Sequence, residues 1–180
     1  MRARAAVGFA AALAATASGT AFAQVVTRDA KLGTFFRYGL DAERVRLDKI
    51  ERVDRIDGRA YVRTVEPGSG RVGYLILTLT VDNDRNAPGY VPALVTTLRM
   101  DTGPAIDPGV YGPFLGDSTE PVDLRTTIRP HGRATLRLVV IDVPNGHAVR
   151  EIILSPNDAT AQYRFRPKPS EIVPLAARPR

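Results

Sequence analysis

From Tyr74 to Asp82 the chain reads YLILTLTVD. Leu75, Leu77, Leu79 and Val81 fall on one side, and Tyr74, Ile76, Thr78 and Thr80 on the other. A strand turns successive side chains to opposite faces, so a period of two suits a strand with one buried face and does not suit a helix, whose apolar positions recur every three or four residues. The same period returns in 133–142, where Ala134, Leu136, Leu138 and Val140 oppose Arg133, Thr135 and Arg137. It returns again in 122–128, with Val122, Leu124, Thr126 and Ile128 between Pro121 and Pro130. Shorter runs at 94–100, 150–155 and 161–166 behave alike, and 34–38 and 59–65 are expected to be strands as well. Turn-forming clusters (EPGSG, NDRNAPG, RPHG, PNG, SPND) punctuate these runs. Short alternating strands with turns at this spacing indicate an all-β chain folded as an immunoglobulin-like antiparallel β-sandwich of about seven to nine strands.

One stretch carries two patterns. In residues 41–56, DAERVRLDKIERVDRI, Asp41 is placed to cap a helix and Val45, Ile50, Val53 and Ile56 share a helical face, yet Val45 and Leu47 alternate. Every neighbour is strand-like, so a strand interrupted by a bulge is the expectation and the helix its alternative.

The first 23 residues do not belong to this fold. Arg2 and Arg4 form a basic head, an apolar run extends from about Ala5 to Ala17, and Ala21-Phe22-Ala23 is a small-x-small cleavage signal. That is the pattern of a secretory signal peptide cut before Gln24, so the mature chain is expected in the periplasm or the medium. The apolar run is too short and too alanine-rich to span a bilayer well, and no second one follows, so no transmembrane segment is expected in the mature chain. With no cysteine there is no site for lipoprotein-type lipidation and no disulfide. A domain of this size buries roughly 70% of its unfolded surface and needs no such staple. Residues 24–166 are assigned to the sandwich. The proline-rich basic tail, 167–180, is expected to be extended or disordered rather than a strand.

The net charge of +6 raises the question of a polyanionic partner. Residues 24–163, however, carry 18 basic and 18 acidic side chains. The body is neutral, the excess lies in the tail, and nucleic acid is not an expected partner.

Three segments together resemble a known family: LILTLTVDN (75–83), a central strand ending in Asn; RPHGRATLRLVVIDVP (129–144), a Gly-containing turn before a late strand; and EIILSPNDATAQYRF (151–165), a closing strand pair. They are similar to the bacterial secreted immunoglobulin-like proteins that include lipoprotein accessory domains and a mycobacterial immunoprotective extracellular antigen. The resemblance spans roughly residues 32–166. It implies an immunoglobulin-like sandwich that acts as a binding or accessory module, without a catalytic site.

Residues that could carry chemistry divide quickly. Asp82-Asn83-Asp84-Arg85-Asn86-Ala87-Pro88 looks like a calcium-binding linker, but calcium wants six to eight oxygens and Arg85 stands where an acidic ligand belongs. A turn capped by Asn83 is the expectation. Asp101-Thr102-Gly103 has the tripeptide of aspartic proteases, which need two such aspartates. It is followed by Pro104 instead of a small residue, and no proper second copy exists. His131 and His147, the two histidines, are expected at opposite ends of the sandwich. No Gly-x-Ser-x-Gly elbow or phosphate-binding loop is present. No metal, cofactor or catalytic residue is expected, and the chain is not expected to be an enzyme.

The remaining feature is the connection 102–121, TGPAIDPGVYGPFLGDSTEP, stiffened by Pro104, Pro108 and Pro113. Long loops are often functional, and apolar groups on a stiff loop suit partner contact, so Tyr111, Phe114 and Leu115 are the expected partner-binding residues. The competing expectation is that this loop folds back with its aromatics in the core. Gly68–Gly70 and Asn145–His147 are expected at the same end. The function this supports is non-covalent binding of a protein or cell-envelope component. The alternatives are a small hydrolase or hydrolase accessory using carboxylates such as Asp101, Asp107 and Asp117, and a structural subunit of an envelope assembly with an open edge strand.

Overall fold

The alternating segments fold as strands, and the turns between them set the order. A computed structural model of the protein describes residues 25–38, 43–53, 72–92, 94–116, 118, 120–123, 126–156 and 161–174, apart from the side chains of Tyr38, Tyr111 and Pro156. The strands are β1 (Val26–Ala30), β2 (Phe35–Tyr38), β3 (Glu43–Val53), β4 (Val72–Asp82), β5 (Gly89–Tyr90), β6 (Leu94–Met100), β7 (Val110–Leu115), β8 (Thr127–Ile128), β9 (Arg133–Pro144), β10 (Val149–Pro156), β11 (Ala161–Phe165) and β12 (Ile172–Pro174). The cleavage signal at Ala21, Ala23 and Gln24, the strand expected at 59–65, Gly68–Gly70 and the tail beyond Pro174 lie outside the described residues.

Seven of these strands make the frame. One sheet runs β3-β4-β9-β7 and the other β6-β10-β11. Lettered A to G in chain order, that is A-B-E-D against C-F-G, the arrangement of a constant-type immunoglobulin sandwich. All frame pairings are antiparallel. The remaining strands are short additions. β1 joins β11 and β12 joins β3, both in parallel, β2 lies on β3, and β5 pairs with β8.

The core lies between the sheets. Leu75, Leu77, Leu79 and Val81 of β4 and Leu136, Leu138 and Val140 of β9 meet Leu98, Ile152, Leu154, Tyr163 and Phe165 of the facing sheet. The disulfide that pins many such sandwiches is replaced here by packed aliphatic and aromatic side chains. The opposite faces of β4 and β9 carry a second buried cluster, in which Tyr74, Ile76 and Val139 pack with Val53 and Phe114. Inside the core Thr96 is buried, and its Oγ1 has no hydrogen-bond partner. Valine has nearly the same shape and no polar atom to desolvate, so Thr96→Val is expected to raise stability by about 1 kcal/mol, read as a higher urea midpoint.

Residues 43–53 form the expected bulged strand, with a register shift between Leu47 and Lys49 against β4. That shift lets Val45, Leu47 and Ile50 all face the core despite the uneven spacing.

Two expectations are corrected. Of the strand expected over 122–128, the described residues form strand only at Thr127–Ile128, and Val122 instead donates its N–H to the Pro113 carbonyl at 2.7 Å beside the Phe114–Pro121 bridge. The tail is ordered as far as Pro174. Glu171 accepts the Lys168 N–H at 2.7 Å, Pro169–Glu171 make a 3-10 turn, and Ile172 packs against the core as β12 pairs with Ile50–Arg52.

Apart from β1, a short and largely polar edge strand that pairs only with β11, the sheet edges are blunted against strand addition. β2 and β12 cover the two halves of β3 on either side of its bulge. Leu98 of β6 exchanges two 2.8 Å backbone bonds with Ile106, and β7 is broken by a register shift across Gly112 and Pro113.

Candidate functional site

Strand direction sorts the connections onto the two ends of the sandwich. At one end lie the β4–β6 connection, His131 and the β7–β9 connection. At the other lie residues 101–109, the β9–β10 turn and the 166–171 segment. The two histidines are therefore at opposite ends. His131 Nε2 is 2.8 Å from Asn86 Oδ1 at the first, and His147 sits beside Asp101 at the second.

The first end is built for stability. Asp82 is tied to Arg44 and, at 3.1 Å, to Arg133, so its carboxylate links β3, β4 and β9. Burial pushes the Asp82 carboxyl upward, but the hydrogen bonds from Arg133 and Arg44 outweigh it and hold it below the usual range. Asn83 Nδ2 faces the carbonyls of Ala87, Ile128 and Arg129 at 2.9, 3.0 and 3.1 Å, and its Oδ1 accepts the Arg85 N–H at 3.2 Å. The stretch that looks like a calcium linker is thus a turn, with the oxygens of Asp82 and Asn83 already occupied by arginine and backbone donors.

The expected partner-binding residues separate. Residues 102–121 are not one loop, because β7 runs through them and carries Leu115 to the first end. Phe114 is only 2% exposed and belongs to the second apolar cluster, so a partner cannot reach it in the folded protein. Tyr111 pairs with Val139 through its backbone, and Leu115 is 39% exposed. Ile106 and Val110 pack against the core. The fold-back arrangement therefore describes this segment, and the binding surface expected there does not form around Phe114.

The second end gathers groups far apart in the chain. Asp101 donates its N–H to the Ala148 carbonyl at 2.8 Å, and its Oδ1 lies 3.2 Å from His147 Nδ1. A backbone hydrogen bond from Ala148, then His147 and Arg150, hold the Asp101 carboxyl below its ordinary value. Thr102 Oγ1 lies 2.8 Å from the same ring nitrogen. A nucleophile–base–acid relay needs the hydroxyl and the carboxylate on different imidazole nitrogens. Here both sit on Nδ1, so the three side chains form a latch between the end of β6 and the β9–β10 turn. Asp107 accepts the Thr97 hydroxyl at 2.7 Å, and Asp117 lies outside the described residues.

From the other side Arg52 donates to the Pro144 and His147 carbonyls at 2.7 and 2.6 Å. Gly146, at φ 79°, supplies the left-handed residue the turn requires. The turn is thereby clamped between Asp101 and Arg52.

The next residues form a groove. In the β10–β6 pairing Val149 lies opposite Met100 and Glu151 opposite Arg99, which leaves Arg150 as the extra residue of a β-bulge. Unbroken alternation would turn residue 150 inward with Ile152 and Leu154. The bulge instead buries Val149 and exposes Arg150, and re-aiming a side chain is a common use of such irregularities. Arg150 makes no hydrogen bond or ion pair among the described residues. With Arg52, Ala148, Val149, Pro167, Pro169, Ile172 and Pro174 it lines a groove of about 260 Å³. That volume is below the usual range for cofactor pockets and suits a side chain or a short segment. Sequence alternation alone does not point to this site. The available signal is the three-residue step from Val149 to Ile152, which breaks the period of two.

Among the described residues, no helix is long and apolar enough to cross a membrane, and no three acidic or histidine side chains gather in a metal-ligating arrangement. No protein-family model matches the chain, and no curated protein does. Among solved structures it is similar to an uncharacterized β-sandwich protein of Clostridium difficile 630, with 12% identity and a TM-score of 0.49 over 81% of this chain and 98% of that one.

Proposed function

We propose that the chain is an exported binding module, of the secreted immunoglobulin-like kind its motifs resemble, which engages a protein or other cell-envelope component without covalent chemistry. Its binding surface is the end formed by the 145–148 turn, the bulged start of β10 and the 166–174 segment. One observation carries this reading: a bulge presents Arg150, a cation without a partner among the described residues, at the mouth of a groove walled by proline and isoleucine. On the same sheet Arg99, Arg164 and Arg166 are ion-paired to Glu151 or Asp29, and Arg28, unpaired like Arg150 among the described residues, does not line the groove. An unpaired guanidinium beside apolar side chains, on a strand start that follows a turn clamped from both sides, is a feature suited to recognition.

The alternatives have less to rest on. A hydrolase reading asks for two carboxylates facing one pocket, whereas Asp101 and Asp107 are engaged by separate partners. A structural-subunit reading asks for a long, apolar open edge strand, whereas bulges and short covering strands blunt β3, β6 and β7, and the open edge at β1 is five residues long and reads VTRDA.

The test is a photo-crosslinking residue placed at Lys168, which is exposed beside the groove, and separately at Tyr90, 58% exposed at the opposite end. In the native envelope the first position should give a discrete adduct, suppressed by excess unlabelled mature protein, and the second should not. Equal adducts from both, or none from position 168, count against the reading.

A further inference from the structure

Resting on that reading, we infer that the groove receives a carboxylate side chain of an extended peptide segment, with Arg150 as its anion partner. The guanidinium presents parallel N–H donors that match a carboxylate in two-point fashion. No carboxylate among the described residues fills this role. Glu171 is occupied capping the Lys168 N–H, Asp101 is engaged by Ala148 and His147 and acts on Arg150 only through space, and Glu151 is paired with Arg99 and Arg166. Arg52 lines the groove too, but its guanidinium is held by the His147 and Pro144 carbonyls, so Arg150 is the one placed to make a two-point contact.

The shape favours a peptide. The groove lies between the start of β10 and the proline-punctuated 166–174 segment with its 3-10 turn. Its walls are the rings of Pro167, Pro169 and Pro174 with Val149 and Ile172. Such a slot accommodates the aliphatic stem of a glutamate while the head reaches Arg150, and an extended chain lies along strand-lined walls naturally. A lipid headgroup layer would meet a flat basic surface more readily than a recess of this size.

The inference is tested by fluorescence anisotropy with the mature protein and two labelled peptides of equal length. One is rich in Glu with interspersed Pro and Ala; the other has Gln for every Glu. Saturable binding of the Glu peptide is expected, with the Gln peptide at least about tenfold weaker, as for loss of a charge-assisted hydrogen bond. Arg150→Glu should abolish the difference and Arg150→Lys should reduce it. Arg150 is exposed and acts on Asp101 only through space, so Arg150→Lys should unfold at the wild-type midpoint and Arg150→Glu slightly below it, folded under the assay conditions. Equal binding of the two peptides, no saturation with either, an undiminished preference in Arg150→Glu, or binding to anionic phosphatidylglycerol vesicles in place of the peptide would overturn the inference. A crosslink from position 168 without a Glu-peptide preference overturns the ligand class alone, whereas absence of that crosslink strikes the binding reading itself.

Discussion

Asn83→Asp is expected to lower stability by about 4 kcal/mol, and Asn83→Ala by about 3 kcal/mol, measured by urea unfolding followed by circular dichroism. Asn83 is fully buried at the end of β4. Its amide is the shared donor for three carbonyls from two connections, those of Ala87, Ile128 and Arg129. Alanine leaves these oxygens without that donor. Aspartate, nearly the same shape, instead directs a negative charge at them. For that reason the aspartate variant should be the worse of the two, and its deficit should shrink on acidification, when the neutral acid regains a donor. The surroundings leave little room to adjust: a Cβ on Gly89 would lie 2.6 Å from Glu43 Oε1 and 3.1 Å from Asn83 Cγ. A domain of ordinary stability, roughly 5–15 kcal/mol, would lose a large share of it.

Phe114→Ala is expected to cost about 3 kcal/mol, while Leu115→Ala, one residue on, should cost under about 1 kcal/mol. Phe114 packs with Tyr74, Ile76 and Val139 on the outer face of the larger sheet, where truncation leaves a cavity among strands that cannot close over it. Leu115 is already partly in water. Thermal unfolding of the two variants checks the contrast. Any loss of binding in Phe114→Ala should track its unfolded fraction and vanish at low temperature, where the variant is folded.

These expectations show how far the alternation carries. β4 and β9 are each buried on the face their period of two marks, because a long central strand has neighbours on both sides and one side chain in two must face the core. The bulged strand at 43–53 was also legible, since Val45, Leu47 and Ile50 fit neither a strict strand nor a good helix. The edges were not. β1 reads VTRDA and is mostly exposed, β7 contains Gly112 and Pro113, and β12 ends in Pro174. Their pairing depends on a neighbouring sheet, because the few apolar side chains they carry, such as Phe114 and Ile172, follow no sustained period of two. The 122–128 run alternates well, yet among its described residues only Thr127–Ile128 are strand, paired with β5.

The candidate site was hidden for a different reason. Asp101, His147 and Arg52 come from three separate regions and meet only through strand order. Arg150 reaches the surface through one irregular pairing. The tail that walls the groove looked like a chain end without a partner, and Ile172 with the Glu171 cap is what anchors it.

Hydrogen–deuterium exchange on the mature protein, with and without native envelope extract, tests the central claim most directly. The account predicts slower exchange at 148–152 and 167–174 when the extract is present, with 83–90 unchanged. Protection confined to 83–90, or no change at either end, would contradict it.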